Sequence, residues 1–92
     1  MEKTMCVAKA LFDMYYKESG EYMDEMKMHK LMYFAQRESL MYDKEPLFEE
    51  SFYGWKYGPV LKSVRSQFMT PQPYADVRED VELATRYIYR LL

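Results

Sequence analysis

Residues 25–42 run for eighteen positions without a glycine or proline, directly after Asp24, and no other stretch limits the fold as strongly. Asp24 is a good N-cap, and Glu25 lies in the first turn, where a carboxylate complements the helix dipole. Met28, Leu31, Met32, Ala35 and Tyr42 recur at helical spacing on one face, while Phe34 and Met41 lie on another side. The pattern predicts a helix over 25–42 that is contacted from more than one direction, the central helix of the fold. A third strip, His29, Tyr33, Gln36 and Leu40, mixes hydrogen-bonding groups with rings at i, i+4, i+7 and i+11. Such a strip suits a partner surface, or His29 and Gln36 are merely solvated or tied to a neighbouring loop.

The rest of the chain arranges itself around that helix. Thr4 is expected to cap a first helix over about 5–17, with Val7, Leu11 and Met14 beside Ala8, Phe12 and Tyr15 on its apolar face, stopped by Ser19-Gly20. After the central helix, Asp43-Lys44-Glu45-Pro46 breaks the pattern, and Leu47-Phe48 offers an apolar anchor for the loop. Glu49 and Glu50 read as a solvated loop feature, since no second constellation makes them an acid/base pair. Residues 51–57 read as one strand, with Tyr53, Trp55 and Tyr57 alternating onto one face. Gly58-Pro59 is expected to turn the chain and open a third helix over 59–69, with Pro at its first position and Leu61, Val64 and Phe68 as its buried stripe. Pro71 and Pro73 make 70–74 a stiff linker, after which Asp76 is expected to cap a last helix carrying Val77, Val81, Ala84, Ile88 and Leu91. The fold class expected is mainly α: one compact domain over 1–92, a bundle of about four helices with one short extended strand before the third.

Composition narrows the function. The 92 residues are 49% hydrophobic and 30% charged, a folding composition. Their 9 Met and 10 Tyr supply adaptable thioethers and amphipathic rings, either as core filling or as a surface that re-packs against partners. A net charge of -2 gives no global field toward nucleic acid or anionic lipid. The lone Cys6 forms no internal disulfide, and no apolar run is long enough for a signal peptide or membrane span, so a reducing cytoplasm is expected. Catalysis finds little footing. One His and one Cys lie on different helices, and there is no CxxC or HExxH spacing and no glycine-rich phosphate loop, so neither catalytic residue, metal nor cofactor is assigned. Lys56, Lys62 and Arg65 make a local basic patch that keeps a DNA-binding regulator as a rival reading. A helix-turn-helix wants a turn of about 3 to 4 residues, and a far longer insert separates the second and third helices here.

Two stretches in order resemble a known family. Met28-His29-Lys30-Leu31-Met32-Tyr33-Phe34-Ala35-Gln36 resembles the helical K-L-x-Y-F-A-Q run of the Panacea, or SocA-like antitoxin, domain. Trp55-Lys56-Tyr57-Gly58-Pro59-Val60 resembles its W-K/R-Y-G-P-V signature, with Pro46-Leu47-Phe48 between them. The resemblance covers about residues 5–70. Gly54 stands where the family usually has Ala before the Trp, and the chain is expected to lack the usual C-terminal portion. The resemblance implies a mostly helical, often phage-associated protein that binds and neutralises a toxin, in one described case as a proteolytic adaptor. The partner expected is thus a protein, a toxin or alternatively a host defence protein, with no membrane. The residues expected at that interface are Lys30, Tyr33, Gln36, Tyr53, Trp55, Lys56, Tyr57, Gly58 and Pro59. Trp and Tyr are enriched among binding hot spots, each worth about 2 kcal/mol or more, although Trp55 would serve equally as core and Tyr57-Gly58-Pro59 as a turn.

Overall fold

A computed structural model describes residues 2–79 and 81–91. Its elements are α1 (Thr4–Ser19), α2 (Glu25–Tyr42), β1 (Tyr53–Trp55), β2 (Gly58–Val60), α3 (Lys62–Phe68) and α4 (Glu82–Leu91). Among the described residues the chain thus adopts the mainly α class with four helices. As the unbroken run from Glu25 to Tyr42 predicts, α2 is central, packing against α1, α3, α4 and β2.

Local chemistry sets the helix ends. Asp24 caps α2, its Oδ1 accepting the Lys27 N–H at 2.8 Å. Gly20 closes α1 in the left-handed conformation at φ 76°, its N–H donating to the Tyr16 carbonyl at 2.8 Å. The start of α1 differs from expectation. Thr4 is already helical, and the preceding Lys3 serves as N-cap through its backbone, its carbonyl accepting the N–H groups of Cys6 and Val7. A tertiary bond from Glu2 N–H to the Leu47 carbonyl, 2.8 Å, pins this end and lets the helix begin one residue early.

The core is assembled from Val7, Ala8, Ala10 and Leu11 of α1, Met28, Met32 and Ala35 of α2, Leu61 and Val64 beside and within α3, and Ala84 and Ile88 of α4. Leu47 and Phe48 are fully buried and anchor the loop after α2, each burial worth about 1.5–3 kcal/mol. The buried face of α2 is turned from the expected one: Tyr42 is exposed, while His29 and Ser39 are buried. Ser39 tolerates the core because its hydroxyl donates to the Glu45 carbonyl at 2.8 Å.

Between Tyr53 and Val60 the chain does not run on as a single strand into a helix. It doubles back at Lys56-Tyr57, and β1 pairs antiparallel with β2 in the register Tyr53 to Val60, Gly54 to Pro59 and Trp55 to Gly58. Gly58 leaves this two-residue turn at φ 123°, a backbone conformation that side-chain-bearing residues rarely adopt. Pro59 sits in an outer strand of a two-stranded sheet, where a missing N–H is tolerated. Leu61, extended at ψ 128°, becomes the N-cap of α3, which starts at Lys62 rather than at Pro59.

The stretch 70–76 is more than a linker. Tyr74 takes φ 67° and buries its ring against Phe12 and Phe68, with centroids 5.3 and 5.9 Å away. Gln67 holds the turn by accepting the Tyr74 N–H at 2.7 Å. The expected cap at Asp76 is not used, because α4 begins at Glu82; Val77 and Val81 still pack against the core from outside the helix.

Candidate functional site: the groove between helix and hairpin

Four side chains fix the hairpin onto the bundle. Gln36 holds the loop that leads to it: its Nε2 donates to the Phe48 carbonyl at 2.8 Å, and its Oε1 accepts the N–H groups of Leu47 at 2.7 Å and Phe48 at 3.3 Å. Glu50, read from the sequence as solvated, instead accepts the Ser63 N–H at 3.2 Å and its hydroxyl, tying the strand approach to the first turn of α3. On the other side of the hairpin, His29 Nδ1 accepts the Leu61 N–H at 3.3 Å. That bond places the ring proton on Nε2, which donates to Glu25 Oε2 at 3.0 Å. Arg65 Nη1 donates to the same oxygen at 3.0 Å and lays its guanidinium 4.4 Å from the centre of the Trp55 ring.

This chain of contacts, from α2 through Glu25 and Arg65 to Trp55, holds the indole upright without burying it. Trp55 is 47% exposed and Tyr57 61%, so neither is core; their rings meet edge to face at 5.7 Å. Between the hairpin and the N-terminal half of α2 lies an open groove of about 350 Å³. One wall is Glu25, Met26, His29, Lys30 and Tyr33; the other is Trp55, Tyr57, Gly58, Pro59 and Val60. Val60 and His29 are buried, while Met26, Tyr33, Trp55 and Tyr57 face solvent. Tyr33 is steadied by an edge-to-face contact with Phe52 at 5.3 Å.

Of the nine residues singled out in the sequence, Lys30, Tyr33, Trp55, Tyr57, Gly58 and Pro59 line this groove together. Lys56 stands at the hairpin tip with its ammonium 5.2 Å from the Tyr57 ring centre. Tyr53 lies beside the groove under Lys62, whose ammonium is 5.3 Å from its ring. Gln36 lies outside it, with its carboxamide committed to the loop backbone. Sequence reasoning missed Met26, Val60 and the Glu25–Arg65 pair. Extending the His29–Tyr33 strip one turn toward Asp24 would have found Met26, spaced i and i+4 with Lys30. Arg65 meets Glu25 only through the tertiary fold, and nothing local announces it.

Chemically the groove can hold an apolar group and orient it with flanking charges. Its histidine has both ring nitrogens engaged, and Cys6 is buried on α1. Among the described residues no three His, Cys, Asp or Glu side chains gather where a metal ion would sit, and no helix is long and apolar enough to cross a membrane.

The chain matches the family model of the SocA-like antitoxins, Panacea domain, over residues 28–88. No curated protein and no solved structure matched the chain. The matched span holds α2 from Met28 onward, both strands of the hairpin and α3, and with them every residue lining the groove except Glu25 and Met26. The chain thus belongs to the SocA-like antitoxin, Panacea-domain family.

Proposed function

We propose that this domain is a non-enzymatic, cytoplasmic protein-interaction module that neutralises a toxic protein by covering a functional surface of it in a stoichiometric complex. The observation that carries this reading is the exposure of Trp55, Tyr57 and Tyr33 around one groove, inside the family-matched span, with Met26 exposed on the same groove just before that span. Large rigid side chains left half in water lose little conformational freedom on binding and bury much apolar area, which is the profile of interface anchors. Lys30, Tyr33, Trp55, Tyr57, Gly58 and Pro59 form the contact surface, with Lys56 and Tyr53 at its border and Gln36 holding the loop behind it. The test is growth rescue. Co-expression with the toxic protein it is proposed to neutralise should restore growth, and Trp55→Ala with Tyr57→Ala should abolish rescue while leaving the far-ultraviolet circular dichroism unchanged. Rescue that persists in the double variant at equal protein level would exclude this surface.

A further inference from the structure

The charge around the groove runs against the charge of the chain. The chain carries a net -2, yet the one carboxylate in the groove wall, Glu25, is already held by Arg65 and His29. Lys30 lines the groove and is exposed, and Lys56 and Lys62 stand on the hairpin side with their ammonium groups over Tyr57 and Tyr53. None of these three lysines makes an ion pair among the described residues. An exposed cation resting on a ring gains only about 0.5–1 kcal/mol, less than a desolvated pairing with a carboxylate would give. The groove is thus an apolar slot with unspent positive charge on both sides.

Resting on the reading that this groove is the binding surface, we propose that its occupant is a peptide segment of the partner protein that inserts one large apolar side chain between Trp55 and Met26 and places acidic side chains against Lys30 and Lys56. A slot of about 350 Å³ has the size of a small recognition pocket and suits a side chain rather than a whole helix. Pro59 removes an N–H from β2, so recognition there rests on side chains more than on an added strand. A polynucleotide would need cations spaced along a phosphate track, whereas here they flank a single apolar slot in an acidic chain.

Trp55 is the sole tryptophan, so its emission reports the groove directly. The probes are four tryptophan-free peptides, Asp-Glu-Phe-Leu-Glu-Asp, Ser-Gly-Phe-Leu-Gly-Ser, Lys-Arg-Phe-Leu-Arg-Lys and Asp-Glu-Ser-Gly-Glu-Asp, together with a single-stranded oligothymidylate. The acidic Phe-Leu peptide should bind about tenfold or more tightly than the neutral one and than the acidic peptide lacking Phe-Leu, and the basic peptide should bind weakest of the Phe-Leu series. Lys30→Glu with Lys56→Glu, both at exposed positions, should keep the melting curve and reverse the order of acidic and basic peptides. The proposal is overturned if the neutral peptide binds as well as the acidic one, if charge reversal leaves the order unchanged, or if no peptide moves Trp55 emission at millimolar concentration. An oligothymidylate that acts at lower concentration than any peptide would overturn it in favour of nucleic acid. Growth rescue separates this proposal from the broader one. Rescue kept by the Lys30/Lys56 charge reversal but lost by Trp55→Ala with Tyr57→Ala sinks the acidic occupant and leaves the surface standing; rescue kept by both sinks the surface itself.

Discussion

Tyr74→Phe should make this protein more stable, although most core substitutions do the opposite. Tyr74 is buried, its ring packs between Phe12 and Phe68, and its hydroxyl has no hydrogen-bond partner among the described residues. Removing one oxygen keeps every ring contact and relieves a desolvated polar group whose burial costs about 1–3 kcal/mol. We expect a gain of about 1 kcal/mol at neutral pH, a rise in Tm of about 4–8 °C for a domain of this size. The pH dependence makes the test sharper. Burial first, and the negative charge of Glu25 second, hold the Tyr74 hydroxyl far above its ordinary value of 10.0. Above about pH 10 the unfolded chain gives up this proton while the folded chain keeps it, so the unfolded state binds fewer protons and stability falls by about 1.4 kcal/mol per pH unit. The contribution is fully present below pH 10 and lost as pH rises toward the folded-state value. The phenylalanine variant lacks this loss. Urea titrations of both proteins at pH 7, 9, 10 and 11 should therefore show a stability difference that is flat to pH 9 and widens above 10. A variant less stable than the parent at pH 7, or parallel curves through pH 11, would refute the reasoning and place a partner on the hydroxyl.

The remaining predictions concern the supports of the groove. Gln36→Ala strands the N–H groups of Leu47 and Phe48 and the Phe48 carbonyl, two residues with almost no solvent access, and should cost about 2–4 kcal/mol in a urea titration; a loss below 1 kcal/mol would mean the loop finds other partners. Gly58→Ala should cost about 1–3 kcal/mol from backbone conformation alone, since a Cβ there meets nothing within 4 Å, and it should shift Trp55 emission by loosening the hairpin. Unchanged emission and stability would show that the turn accepts a side chain. Arg65→Met removes the bridge between Glu25 and Trp55 while keeping much of the side-chain volume. It should quicken Trp55 motion, seen as lower fluorescence anisotropy, with a stability loss of about 1–2 kcal/mol; anisotropy equal to the parent's would show that the hairpin holds the indole without it.

What could be read from the chain beforehand follows a physical division. The extent of α2 and its Asp24 cap were legible because both rest on local chemistry, a capping carboxylate and an unbroken helical run. The apolar stripes of α1 and α3 were legible for the same reason, as were Ala84 and Ile88 of α4. The hairpin was half legible. Aromatic alternation gave β1, but Gly58-Pro59 has two local readings, helix start or second strand, and the pairing of Trp55 with Gly58 decided for the strand. Tyr74 was hidden inside a proline-rich segment, where composition says loop and only tertiary packing against Phe12 and Phe68 makes it core. At the site, six of the nine residues named from the sequence line one groove. For Gln36 the sequence left two readings, partner surface or tie to a neighbouring loop, and its carboxamide is spent on loop backbone twelve residues away, the second of the two. The Glu25–Arg65–Trp55 chain joins three elements, and no window of sequence contains it.

If the folded groove neutralises a protein by binding it, the two must form a complex that depends on the groove. The most direct measurement is the mass of the complex formed with the toxic protein proposed as its partner, by native mass spectrometry, for the parent and for Trp55→Ala with Tyr57→Ala. A complex of fixed stoichiometry is expected for the parent and two separate species for the variant. A variant that still forms the complex, or a parent that restores growth without forming one, would contradict it.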